Sequence, residues 1–144
     1  MPAPLEPVRL FDYGSLMAGE RDHALLAGSK ALGPARTKPD FHLVDLGVYA
    51  ALVAGGNVSV VGELYLVERK ACFAIDVAKQ CGLMFERLSI TLDDGTAADA
   101  YVMPEERTRG KRRLKGGSWR DRFAPPPRTE SRSAFIEALR KHRG

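Results

Sequence analysis

The ten residues from Val58 to Val67 do most to narrow what this chain can become. Seven of them, Val58, Val60, Val61, Leu64, Tyr65, Leu66 and Val67, are strand formers, and Gly55-Gly56-Asn57 turns the chain just before them. So dense a β run belongs in a buried sheet. Arg69 to Cys81 follows at once, with no Gly or Pro and three alanines, and reads as a helix stopped at Gly82. A buried strand feeding directly into a helix calls for a mixed fold.

The remaining segments fit that frame. Val8-Arg9-Leu10-Phe11 is a first strand, with a tight turn at Tyr13-Gly14-Ser15-Leu16. Ala18 to Ala27 predicts a short helix carrying Glu20, Arg21 and Asp22 in its first turn and ending at Gly28. After Gly33-Pro34, the residues Phe41, Leu43, Leu46, Val48, Tyr49, Leu52 and Val53 supply strand formers. Phe85 to Leu92 alternates like a half-buried strand, Asp93-Asp94-Gly95 makes a hairpin turn, and Ala97 to Met103 returns. Many short strands with two or three helices imply an α+β fold around a curled, mostly antiparallel sheet.

With 144 residues the chain fits one domain. We expect that domain over residues 1–128, with a basic loop at 105–128. A C-terminal helix is expected over 129–144, with Phe135, Ile136 and Leu139 on one face. Charge is divided unevenly: residues 1–104 carry net −4 and residues 105–144 net +8. No apolar run approaches the ~18 residues of a membrane span, and the first residues lack the basic and apolar parts of a secretory leader. A cytoplasmic location is the expectation. Cys72 and Cys81 cannot frame a disulfide scaffold, and His23, His42 and His142 lack ligand spacing, so no metal site is expected.

Phe11-Asp12-Tyr13-Gly14-Ser15-Leu16 is the most informative hexapeptide. A strand running into Tyr-Gly-Ser-Leu, followed in order by Gly62-Glu63-Leu64-Tyr65, a helix, Phe85-Glu86-Arg87 and the Asp94-Gly95 hairpin, resembles the γ-glutamylcyclotransferase-like (AIG2-like) family. Gly116-Gly117-Ser118-Trp119 is similar to a Gly-Asp-Trp element near the end of some members. The resemblance spans roughly residues 8–120 and implies a small mixed β-barrel with flanking helices. It also implies cyclisation of a γ-glutamyl amine or amide, whose α-amine attacks its own γ-carbonyl to give 5-oxoproline and a free amine without a cofactor. The expected partner is therefore a small γ-glutamyl or amino-acid-like ligand, held by main-chain donors of Gly14, Ser15 and Leu16 next to Tyr13, Phe85, Arg87 and Trp119. The loop should also lead into a helix N-terminus, where anions are favoured.

One departure bears on catalysis. The family's acid lies in a Leu-Asp-x-x-Glu-Gly helix end, and aligning Ile75-Asp76 and Phe85-Glu86-Arg87 with it places Lys79 at the Glu and Gln80 at the Gly. The simplest reading of Lys79 is a solvated lysine favoured by the helix dipole. It could instead be a base with a depressed pKa, or a pocket cation for a carboxylate or phosphate. Asp12, at a position small or apolar in relatives, is the candidate relocated base, partnered by Lys79 or Arg87, with Glu86 next in line. Asp76 is expected to face solvent or cap locally. The alternative function is a catalytically inactive or repurposed relative that binds an acidic small molecule or partner.

The segment from Arg107 to Lys115 holds six cations in nine residues. A solvated loop comes first among its readings, then a lid in which Trp119 folds back over the pocket. Nucleic-acid binding, through cations interleaved with aromatics, comes last.

Overall fold

The structure, a computed structural model, describes residues 6–123. Its strands are β1 (Val8–Asp12), β2 (Lys30–Arg36), β3 (Phe41–Asp45), β4 (Ala50–Ala54), β5 (Val61–Val67), β6 (Glu86–Thr91), β7 (Ala97–Val102) and β8 (Arg112–Arg113). Helix α1 (Arg69–Ala78) is the single α-helix among the described residues, and none of their helices is long and apolar enough to cross a membrane. The helix expected at 129–144 lies outside the described residues.

The strands form one sheet in the order β2-β5-β1-β7-β4-β3-β8, with β6 on β7. Pairing is antiparallel except where β7 meets β1 and β4. The α+β class holds, but the barrel does not close: the order ends on β2 and β8, leaving an open, curled sheet. Among the described residues a single α-helix flanks it. Successive β4 residues alternate between two apolar clusters. Ala50 and Leu52 join Phe11, Leu43, Leu64 and Trp119 on one face, whereas Ala51 and Val53 join Leu10, Val67, Cys72, Ile75 and Phe85 on the face under α1. With both faces covered, β4 and β5 read as nearly continuous apolar runs.

Three local expectations change. Residues 18–27 make only a 3-10 turn at His23–Leu26, because Gly19 sits at φ +79° and interrupts the segment. Lys30–Arg36, to which the sequence pattern assigns no element, is strand β2. It is an edge strand whose register shifts between Ala31 and Gly33, and an edge tolerates a proline that donates nothing. Helix α1 stops at Ala78, short of Cys81, because Gln80 adopts the left-handed conformation at φ 51°. Further along, Gly62 lets β5 press against β1, since a Cβ there would stand 2.2 Å from the Asp12 carbonyl oxygen.

Candidate functional site

The site arises where the sheet forks. β6 occupies one edge of β7 along its whole length, so β1 and β4 share the other, β1 at Asp99 and β4 at Val102. Past Asp12 the chain leaves the sheet at that fork. Tyr13 fills the gap: its buried hydroxyl donates to the Tyr101 carbonyl at 2.5 Å and accepts the Leu52 amide at 3.1 Å. Burial pushes its pKa up, so it stays a phenol.

Beyond Tyr13 the loop turns back on its own carbonyls. The Gly14 carbonyl takes the Met17 amide and the Ser15 carbonyl takes the Asp22 amide. The amides of Gly14, Ser15 and Leu16 meet no protein acceptor among the described residues. They leave a cradle of three free donors. The expected helix N-terminus is absent, since only turns follow the loop, and the cradle rests on individual N–H groups without a helix dipole.

Lys79 enters this cradle, which corrects the solvated reading. The end of α1 swings its side chain inward, where Nζ donates to Ser15 Oγ at 3.3 Å. It also lies 5.7 Å and 5.5 Å from the ring centres of Tyr49 and Phe85. Burial pulls its pKa below the ordinary lysine range, an effect opposed by the charges of Asp22 and Asp12.

Asp12 is buried, 2% exposed, and neither carboxylate oxygen has a hydrogen-bond partner among the described residues. Burial drives its pKa well above the usual carboxyl value; Lys79 opposes the shift from beyond ion-pair distance, and Glu63 adds to it. Two hollows meet at Lys79. The inner one, about 10 Å³, is bounded by Asp12, the Tyr13–Leu16 loop and Ala50, room for one water. The outer one, about 180 Å³, opens between Arg21, Asp22, Tyr49, Met84 and Phe85. The lysine separates the two.

A clamp sets the direction of the α1 end. Arg87 Nε donates to Asp76 Oδ1 at 2.9 Å and its Nη1 to Asp99 at 2.5 Å, while the Tyr101 hydroxyl donates to Asp76 at 2.7 Å. Asp76 therefore holds the helix to β6 and β7 and does not simply face solvent. Arg87, expected beside a ligand or beside Asp12, has its guanidinium engaged in this clamp.

Residues 10–121 match the family model described as gamma-glutamyl cyclotransferase, AIG2-like. The chain belongs to that family. Gamma-glutamyl cyclotransferase-like relatives include a Vibrio cholerae protein provisionally given that name, 40% identical over 88 residues, which are 61% of this chain and 76% of the relative. The same fold occurs in a Pyrococcus horikoshii protein with TM-score 0.67 and 25% identity, over 81% of this chain and 92% of that one. It recurs in the ytfP protein of Escherichia coli, with TM-score 0.63 and 28% identity, over 81% and 99% of the two chains. A mouse AIG2-like protein shares it with TM-score 0.64 and 22% identity, over 69% and 78%.

Within this family framework the other expected site residues separate. Phe85 is buried and floors the outer hollow. Glu86 lies on the exposed side of β6. Trp119 is 2% exposed, packs in the core, and donates from Nε1 to Glu20 at 3.1 Å; it borders a separate hollow next to Ser15. The cations from Arg107 to Lys115 are all exposed, while β8 stitches their backbone to β3. Sequence reasoning missed Tyr49, Arg21, Asp22 and Met84. Tyr49 read as a strand former and Arg21-Asp22 as helix surface, and only the fold of two turns onto the α1 end brings them together.

Proposed function

We propose that the chain takes a γ-glutamyl amine into the outer hollow, its γ-amide end displacing Lys79 to reach the inner one, and converts it to 5-oxoproline and the free amine, with Asp12 carrying the proton. The observation behind this reading is that Asp12, unpartnered among the described residues, is the one carboxyl of theirs lining the inner hollow beside three free amides. The α-amine of the curled substrate attacks the γ-carbonyl, closing a five-membered ring. An intramolecular attack has a high effective molarity, so the protein needs to supply positioning and charge stabilisation. The Gly14, Ser15 and Leu16 amides receive the developing oxyanion. Ionised Asp12 accepts the proton from the attacking nitrogen and returns it to the departing one, and its raised pKa makes it a stronger base than an exposed aspartate.

The test is release of 5-oxoproline from a panel of γ-glutamyl amines and γ-glutamyl amino acids. Turnover by the parent and its loss in a folded Asp12→Asn variant support the reading. A parent inert on the whole panel refutes it.

The position of Lys79 favours a second reading, an acid-binding relative without turnover. An ammonium, a hydroxyl and free amides lie close enough together to donate jointly to a carboxylate. Glutarate binding by calorimetry, lost in Lys79→Met, would accompany an inert parent in that case.

A further inference from the structure

Cyclisation leaves Lys79 unused, yet its setting is unusual for a lysine. Its amine is surrounded by two aromatic faces, a hydroxyl at 3.3 Å and the wall of a 180 Å³ hollow, with no carboxylate within ion-pair distance among the described residues. A lysine taken partly out of water holds a larger unprotonated fraction than an exposed one, and that fraction is nucleophilic toward carbonyl carbon. The adjoining groups are those a condensation needs. Three free amides can hold a carboxylate, and a buried carboxyl can lend a proton.

We propose that Lys79 captures an α-oxo carboxylate as a Schiff base, the carboxylate of the ligand resting on the Gly14–Leu16 amides. The Nζ lone pair attacks the α-carbonyl carbon, and a proton passes from nitrogen to the carbonyl oxygen to give the carbinolamine. Protonated Asp12 donates to its hydroxyl, the C–O bond breaks, water leaves, and the nitrogen lone pair forms the C=N bond. The product is an iminium cation facing the Asp12 carboxylate, so opposite charges appear together beside the inner hollow. The hollow suits small members of this class, since the inner part admits little more than a carboxylate edge. Capture of the oxo acid does not depend on 5-oxoproline release.

The experiment uses the full chain with glyoxylate and sodium cyanoborohydride at neutral pH, followed by peptide mapping of carboxymethyl-lysine. Lys70, exposed on the same helix, is the internal reference. The expected result is at least tenfold more adduct at Lys79 than at Lys70 after brief exposure, and loss of the fast-forming adduct in Lys79→Arg. Equal or lower modification of Lys79 overturns the proposal, and the parent protein alone decides the matter even if the variant does not fold.

Discussion

Replacing Asp12 by valine should make the protein more stable, and increasingly so as pH rises. In the folded state the carboxyl is buried without a hydrogen-bond partner, an arrangement that costs about 1–3 kcal/mol by the effects of comparable mutations. Valine has similar volume and no polar atoms to desolvate. A pH-dependent part is added because burial raises the folded pKa above the unfolded value of ~3.9. Below that unfolded value both states are protonated and this part vanishes. Above it the unfolded chain releases a proton that the folded chain retains, so the parent loses about 1.4 kcal/mol per pH unit until the folded pKa is reached. For a domain near this size, 1 kcal/mol moves Tm by about 2–4 °C. The variant should therefore melt roughly 2–12 °C above the parent near pH 4. The gap should widen by about 3–6 °C per pH unit above that. Circular-dichroism melts at pH 4, 5.5 and 7 measure both quantities. A variant less stable than the parent at pH 7 would show Asp12 to be an ionised partner of Lys79, and a gap that does not change with pH would show that its folded pKa is not raised; either result refutes the reasoning. Combined with the activity test, a variant both inert and more stable would show that the carboxyl is kept for chemistry at the expense of the fold.

Other expectations follow from the same geometry. Gly62→Ala should lower stability by about 3 kcal/mol or leave the chain unfolded, as a methyl group would have to displace the Asp12 carbonyl; a variant melting with the parent refutes the close-approach argument. Asp76→Ala should cost about 2–3 kcal/mol in urea denaturation, because charge-assisted bonds from Arg87 and the Tyr101 hydroxyl bond go with it. The double variant Lys79→Glu/Asp12→Val moves the acid to the helix end. It should release 5-oxoproline at least as fast as the parent, and a folded but inert double variant refutes that equivalence.

Sequence legibility followed the density of local signals. The opening strand, the Gly62–Tyr65 strand and the hairpin at Gly95 each had a hydrophobic run beside a turn residue, and each is present. Strand β2 lacked such a run because edge residues are largely exposed, and its glycine and proline carry no strand signal. The turn after β1 was legible because Tyr-Gly-Ser-Leu carries its own turn chemistry. The inward course of Lys79 was not. It depends on where α1 unwinds, and that depends on Gln80 in a left-handed conformation and on a clamp whose members are up to 25 residues apart. Arg87 and Asp76 were visible as charged residues, but their mutual engagement is a tertiary fact.

The Asp76–Arg87–Asp99 clamp grips the last turn of α1 at Asp76, just ahead of Lys79 in the chain, and it makes no use of the Lys79 side chain. The socket and the tool it holds are thus mechanically independent. An acid, an amide or an amine can be mounted at the same spot with the helix aimed the same way, so one codon can re-equip the cavity for different chemistry while the architecture stays as it was.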